Sequence, residues 1–265
     1  MNLFDCCSFD SAVIELNLSQ YPHFQDHHLK YFPNLSVLYC SNNNNITNYG
    51  LSQVPRLKVL YCGTNMQLND GLFELLPQLR ELHCENNNNI GRKLKSSLLT
   101  YSNLKSLYCD RNNTINDNCL RCFSELQYLH CGHNLNITNK GLQYLSGLTE
   151  LYCGTNNIIS DDGLSSTIRV LSLSWNNTIT DHGLSLTPYL EVLKCGYNHC
   201  ITDNGLSYVP NLRSLYLEYN NTLTNGCLLF VPQLQFLHCG NNKKIDQTIL
   251  HYLNKLTIIS GKRQL

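Results

Sequence analysis

One short phrase, L-x-x-L-x-C, recurs along this chain, followed three residues later by Asn and then by Ile or Leu. Its alternating apolar positions predict a short parallel strand with one buried face. Matches at a spacing of 22 run almost throughout. Units open at Val13, Leu35, Leu57, Leu79, Leu104, Leu126, Leu148, Ile168, Leu190, Leu212 and Leu234, with a truncated twelfth at Leu256. The unit from Leu79 is 25 residues long and that from Leu148 is 20. The fuller form, L-x-x-L-x-C-x-x-N-x-x-I-T-D-x-G-L, stands nearly intact in the unit from Leu190 to Asn211. A fixed period of this size with regularly placed leucines predicts a solenoid. The expected organisation is an N-terminal cap over 1–12, eleven repeats over 13–255, and a truncated repeat or C-terminal cap over 256–265, with no linker inside.

The polar positions predict the rest of each unit. Asn recurs three residues after the inward Cys or Leu at Asn43, Asn65, Asn87, Asn112, Asn134, Asn156, Asn176, Asn198, Asn220 and Asn242. A buried amide at such a turn can satisfy backbone groups of adjacent coils that the strand no longer pairs, so these ten are read as a structural ladder. The following Ile or Leu, as in Ile46, Leu68 and Ile201, refills the core. Thr47, Thr138, Thr180 and Thr202 are placed to cap a helix of one or two turns. Gly then permits close coil packing, and Leu51, Leu142, Leu164, Leu184, Leu206 and Leu228 bury the helix's apolar side. Pro33, Pro55, Pro77, Pro188, Pro210 and Pro232 favour an extended chain before the next strand.

This pattern resembles the leucine-rich repeat family over residues 13 to about 260. The resemblance implies an α/β fold: a right-handed leucine-rich-repeat solenoid, a horseshoe arc with a concave parallel β-sheet of about 12 short strands and convex short helices or turns. The segment N-x-x-[IL]-[TS]-[DN], seen at Asn43 to Asn48, Asn134 to Asn139, Asn156 to Asp161, Asn176 to Asp181 and Asn198 to Asp203, is similar to the cysteine-containing subfamily associated with F-box proteins. There, Cys usually sits where this chain has the ladder Asn. Here Cys takes the preceding inward position.

Composition narrows the function. Charged residues are 14% of the chain, nineteen basic against nineteen acidic. That balance disfavours nucleic-acid binding, which phosphate neutralisation drives, and docking on an acidic membrane. No apolar run approaches the ~20 residues of a membrane helix. Met1 to Asp10 lacks the basic start of a signal peptide. Eight of fourteen Cys share one repeat position (Cys40, Cys62, Cys84, Cys109, Cys131, Cys153, Cys195 and Cys239), and Leu18, Leu173 and Leu217 replace them elsewhere. Interchange with Leu is the behaviour of a buried small hydrophobe, so reduced, inert thiols are expected. Asn112, Asn176 and Asn220 lie in N-x-T sequons yet occupy the ladder, where a glycan would oppose folding. Both points suggest a cytoplasmic or nuclear protein that is not secreted. Cys119 and Cys122 form a lone C-x-x-C without a second pair, so no metal site and no cofactor are expected.

The outward positions carry the binding chemistry. One column reads Asn17, Tyr39, Tyr61, His83, Tyr108, His130, Tyr152, Ser172, Lys194, Tyr216 and His238; Tyr128 lies beside it. Beyond the Cys, later units add His133, Trp175, Tyr197 and Tyr219. Lys58, Arg80, Lys105, Arg169 and Arg213 precede the strands. Aromatic and Arg side chains dominate binding hot spots, although Tyr and His on a half-buried sheet also stabilise one another by ~0.2–1 kcal/mol per pair. No nucleophile, base and positioning group converge, so an enzyme is not expected. The reading is a non-catalytic module that binds a protein partner, and is itself a monomer or a weak end-to-end dimer. The family resemblance implies an alternative: a substrate-recognition adaptor or competitor in a cullin-type ubiquitin ligase pathway. With about twelve residues ahead of the first repeat, an F-box is not expected; Phe4, Cys6, Cys7 and Phe9 suit a cap.

Overall fold

Strand and turn recur along the computed structural model, with a short helix or 3-10 turn in most repeats; it describes residues 12–94, 101, 103–246, 256 and 258–260. The expected N-terminal cap, with Phe4, Cys6, Cys7 and Phe9, lies outside these residues, as does most of the segment after Leu256. The chain divides into two compact units, Met1–Tyr128 and Leu129–Leu265. In the first, β1 (Glu15–Asn17), β2 (Val37–Tyr39), β3 (Val59–Tyr61), β4 (Glu81–His83) and β5 (Ser106–Tyr108) pair in parallel, in sequence order. The division falls within β6 (Tyr128–His130). In the second, β7 (Glu150–Tyr152), β8 (Val170–Ser172), β9 (Val192–Lys194), β10 (Ser214–Tyr216), β11 (Phe236–His238) and β12 (Ile258–Ser260) do the same. This is an α/β fold of short parallel strands and one-turn helices.

Register follows the repeat, not the residue count. Val37 pairs with Val59, 22 positions on, but Glu81 pairs with Ser106 and Glu150 with Val170. The three extra residues of one unit and the two missing from another fall in the return segments, so each strand presents the same face. A one-residue slip would turn every side chain over. The 20-residue unit keeps only a 3-10 turn, Asp161–Gly163, where its neighbours carry helices.

The middle residue of β2 to β11 is buried and its two flanking residues are half-buried. Behind the sheet, Leu35, Leu38, Cys40, Ile46, Leu51 and Val54 of one repeat are fully buried, and later repeats copy the set. Each such leucine contributes about 1.5–3 kcal/mol by leaving water.

The helices are α1 (Asn48–Leu51), α2 (Leu72–Leu75), α3 (Asp117–Leu120), α4 (Asn139–Leu142), α5 (Asp181–Ser185) and α6 (Asp203–Leu206). Four or five residues cannot hold a helix unaided. Caps supply part of the support: Thr47, Thr138 and Thr180 accept from the backbone N–H groups of Tyr49, Lys140 and His182. Thr202 makes no such cap. Instead its N–H and hydroxyl donate to Oδ1 and Oδ2 of Asp181, at 2.8 and 2.6 Å, in the preceding coil. Asp26 holds Thr47, Asp161 holds Thr180, and Asp203 holds Thr224 in the same way. The Thr-Asp pair thus reads across coils: Thr donates to the Asp of the coil behind, and Asp accepts from the Thr of the coil ahead.

That clamp also explains the glycine two residues after the Asp. A methyl on Gly205 would overlap Asp181 Oδ1 and press on Leu184. Gly205→Ala is therefore expected to destabilise by about 1–3 kcal/mol, the range for a crowded site, in urea denaturation. The loss should shrink when Asp181→Ala accompanies it. Equal losses in the two backgrounds would show that the clamp is not the reason for the glycine.

Candidate functional site

Two sets of aromatic side chains stand on the solvent side of the strands. In the first unit the third residues of β2 to β5 form a stack. Ring centroids lie 4.2 Å apart for Tyr39–Tyr61, 3.9 Å for Tyr61–His83 and 3.8 Å for His83–Tyr108, with interplanar angles of 11–21°. Tyr128 closes on Tyr108 at 4.6 Å. The His83 Nε2 lies 2.7 Å from Glu81 and its Nδ1 3.4 Å from Glu85. The Tyr61 hydroxyl donates to Glu81 at 3.4 Å. Partial burial, with Glu81 beside it, pushes the Tyr61 hydroxyl up to about 12. These rings spend their faces on one another and offer a partner mainly edges and hydroxyls.

In the second unit the same column is less regular. His130 and Tyr152 are tilted, 5.4 Å apart. Small Ser172 then leaves room for Lys194 to set its ammonium 5.2 Å from the Tyr152 ring and 5.3 Å from the Tyr216 ring. Such a cation–π contact contributes ~0.5–1 kcal/mol where exposed. Tyr216 meets Phe236 at 4.9 Å, and His238 pairs with Glu218.

A second series lies three residues past the strand ends. Trp175 and Tyr197 stack at 3.8 Å and 12°, and Tyr197 and Tyr219 at 4.5 Å and 18°. All three have left-handed backbones, with φ of 69°, 56° and 54°. The cause is local: this turn aims each N–H at the next coil, from Trp175 to Gly196 O, Tyr197 to Glu218 O and Tyr219 to Gly240 O, each 3.0 Å. Asn42, Asn86, Arg111 and Asn241 fill the equivalent place elsewhere with similar φ, and Asn accepts this conformation readily. A large aromatic there costs about 1–3 kcal/mol. Packing does not require it, since Trp175 remains 53% and Tyr219 42% exposed. The sequence places Trp175, Tyr197 and Tyr219 on the outer surface but hides their strain. Its one visible signal is three consecutive aromatics at a position that Asn holds in three other units.

The interior is built for inertness. The ladder asparagines are buried, and within each unit their side chains join successive coils. Asn65 Nδ2 donates to Asn43 O at 2.7 Å and Ile46 O at 2.9 Å, while its Oδ1 accepts from Gln67 N. Asn156, Asn176, Asn198, Asn220 and Asn242 repeat the bond to the preceding ladder carbonyl. The sequon threonines belong to the same device: Thr114 and Thr178 donate to Ile90 O and Ile159 O at 2.7 and 2.6 Å. Cys40, Cys62, Cys84, Cys153 and Cys195 are buried free thiols. Burial pushes Cys40, Cys153 and Cys195 up to about 12. Cys119 is raised to about 11 by burial, and its Sγ lies 3.4 Å from Gly91 O. Neither it nor Cys122 has the depressed pKa of a reactive thiol. Among the described residues no group of three or more His, Cys, Asp or Glu could hold a metal ion. No helix among them is long and apolar enough to cross a membrane.

No family model matches the sequence, and no curated protein matches it. Solved structures do match. The structure of the Rad7 and Elc1 complex in yeast aligns with TM-score 0.55 and 19% identity over 91% of this chain and 80% of that one. An internalin from Listeria monocytogenes gives 0.54 and 21% over 96% and 88%. TLR13, in its complex with ssRNA13, gives 0.53 and 22% over 88% of this chain but only 32% of its own length. The fold is the leucine-rich repeat. The repeats thus offer a strand with two outward positions, a turn that in seven of the described repeats passes through a left-handed residue, and in most a short helix or 3-10 turn after it.

Proposed function

We propose that this leucine-rich-repeat chain is a non-catalytic protein-interaction module whose partner docks on the solvent face of the strands, with Trp175, Tyr197 and Tyr219 as anchors. The observation that carries this reading is the strained aromatic series, whose end members Trp175 and Tyr219 are exposed. Strain that packing does not need is a mark of function, and Trp and Tyr bury large area with little loss of side-chain freedom. Tyr128, His130, Tyr152, Lys194, Tyr216 and His238 extend the footprint in the later repeats, and Tyr39, Tyr61, His83 and Tyr108 in the earlier ones. Glu81, Glu85, Glu150 and Glu218 stand among these rings, which disfavours a phosphate backbone. A reducing compartment, cytoplasm or nucleus, suits the buried thiols and the buried sequon asparagines.

The triple variant Trp175→Asn, Tyr197→Asn, Tyr219→Asn tests it, because three other units carry Asn at that turn with the same backbone conformation. The variant should fold, because relief of the left-handed strain offsets the two lost ring stacks, and should lose at least tenfold in partner recovery in quantitative affinity purification. Unchanged recovery by a folded variant would place the partner elsewhere. A second reading, an adaptor or competitor in a cullin-type ubiquitin ligase pathway, draws on the N-x-x-[IL]-[TS]-[DN] segments. Ligase subunits among the proteins lost by the variant would favour it.

A further inference from the structure

On the opposite edge of the sheet, where the chain enters β8 to β11, the second unit has a cleft of about 430 Å³. We infer that this cleft binds an extended peptide through a single carboxylate, held by Arg213. It lies before the strands, whereas the aromatic series lies beyond their other ends, so either site can fail without the other.

Two columns build the cleft. Arg169, Glu191, Arg213 and Gln235 each stand one residue before a strand, and Tyr189, Asn211 and Gln233 stand three before. The backbone fixes the first column: the N–H groups of Glu191, Arg213 and Gln235 donate to Arg169 O, Glu191 O and Arg213 O, each at 2.8 Å. Side chains in such a column start ~4.8 Å apart and have little freedom at their roots.

The two guanidinium groups are in different states. Arg169 is committed: its Nη1 donates to Ser166 O and Thr167 O at 2.9 and 3.1 Å, and its guanidinium lies over the Tyr189 ring at 5.0 Å. Arg213 is not. Its one charged neighbour among the described residues is Glu191, at a loose 3.9 Å to Nε, and its side chain is 60% exposed. Neither of its terminal nitrogens has a hydrogen-bond partner among these residues, so the fork that matches a carboxylate is open.

The charge pattern selects the ligand. One available cation beside one carboxylate suits a ligand with a single anionic group, whereas consecutive phosphates would bring a second charge against Glu191. The Asn211 amide can donate and accept, which fits the alternating N–H and C=O of a peptide backbone. Tyr189, 55% exposed, gives a neighbouring apolar side chain a surface. The volume falls within the ~300–1,000 Å³ usual for ligand clefts.

The test is fluorescence anisotropy on the full chain. The probe is a dye-labelled, C-terminally amidated hexapeptide with one glutamate flanked by phenylalanines, compared with the same peptide carrying glutamine. The glutamate peptide should bind at least tenfold more tightly. Arg213→Gln should abolish that preference, and Glu191→Gln should strengthen glutamate-peptide binding about threefold or more by removing the like charge. All these side chains are largely exposed, and circular dichroism would confirm that the variants fold. No saturable binding to millimolar peptide, a preference that survives Arg213→Gln, or weakening by Glu191→Gln would overturn the proposal. So would displacement of the peptide by an equal concentration of inorganic phosphate, which would mark a simple anion site.

Discussion

Raising the pH from about 8 to about 11 is expected to unfold this protein, and the buried cysteines are the reason. In water these thiols titrate near 9.0, but in the fold burial pushes Cys40, Cys153 and Cys195 up to about 12. Burial raises Cys62, Cys84 and Cys227 as well. Below pH 9 both states keep the proton, so these groups make no pH dependence. Above it the unfolded chain releases protons that the folded chain retains, and stability falls until the folded pKa is reached. Each thiol contributes a slope of about 1.4 kcal/mol per pH unit. Six together reach several kcal/mol per unit, comparable with the ~5–15 kcal/mol of a whole domain. Circular dichroism along an alkaline titration should show a cooperative transition between about pH 9 and 11. Cys153→Leu, a residue that Leu173 and Leu217 show to be acceptable at this position, should make the curve shallower. A native spectrum at pH 11 would sink this account.

The largest single-residue effect is expected at the asparagine ladder. Asn198 has no exposed surface. Its Nδ2 donates to Asn176 O and to Ile179 O, and its Oδ1 accepts from Cys200 N at 2.9 Å and Ile201 N at 2.8 Å. Asn198→Ala leaves these backbone groups in a site that water does not reach. At ~1–3 kcal/mol for each buried group left unsatisfied, the expected loss is about 4 kcal/mol or more in urea denaturation. Asn198→Leu should do no better, because volume is not what is missing. Asn198→Asp should be worse, since it turns a carboxylate oxygen toward carbonyl oxygens. Exposed Asn221 serves as the control, with Asn221→Ala expected within about 0.5 kcal/mol. A loss below 1 kcal/mol at Asn198 would mean that the ladder is dispensable.

These two expectations mark how much was legible from residues alone. The cysteine and asparagine positions could be found because burial imposes a period: an inward side chain must recur once per coil, whatever the units between do. The Thr-Asp-x-Gly segment was visible as a motif but only half understood. A threonine followed by an acid looks like a local helix cap, whereas Thr202 makes no cap and takes its support from Asp181, 21 residues earlier. Spacing along the chain cannot say which of two coils a side chain serves.

The outer face shows the same limit more sharply. Tyr39 and Trp175 read alike in sequence, as outward aromatics. Both stack on a neighbouring ring, but Tyr39 is half-buried on a strand, whereas Trp175 is 53% exposed on a left-handed turn. Likewise Arg169 and Arg213 hold one repeat position, yet one guanidinium is spent on backbone carbonyls and the other is open.

By itself, then, the sequence determined the coil, the inward ladder, the parallel strands and the thiol core, because a repeated hydrophobic pattern admits one way to bury the same face in every unit. Only the tertiary structure decided which outward groups are satisfied by their neighbours and which remain for a partner. That choice depends on contacts between residues some twenty positions apart and on a backbone angle, neither of which any local pattern encodes.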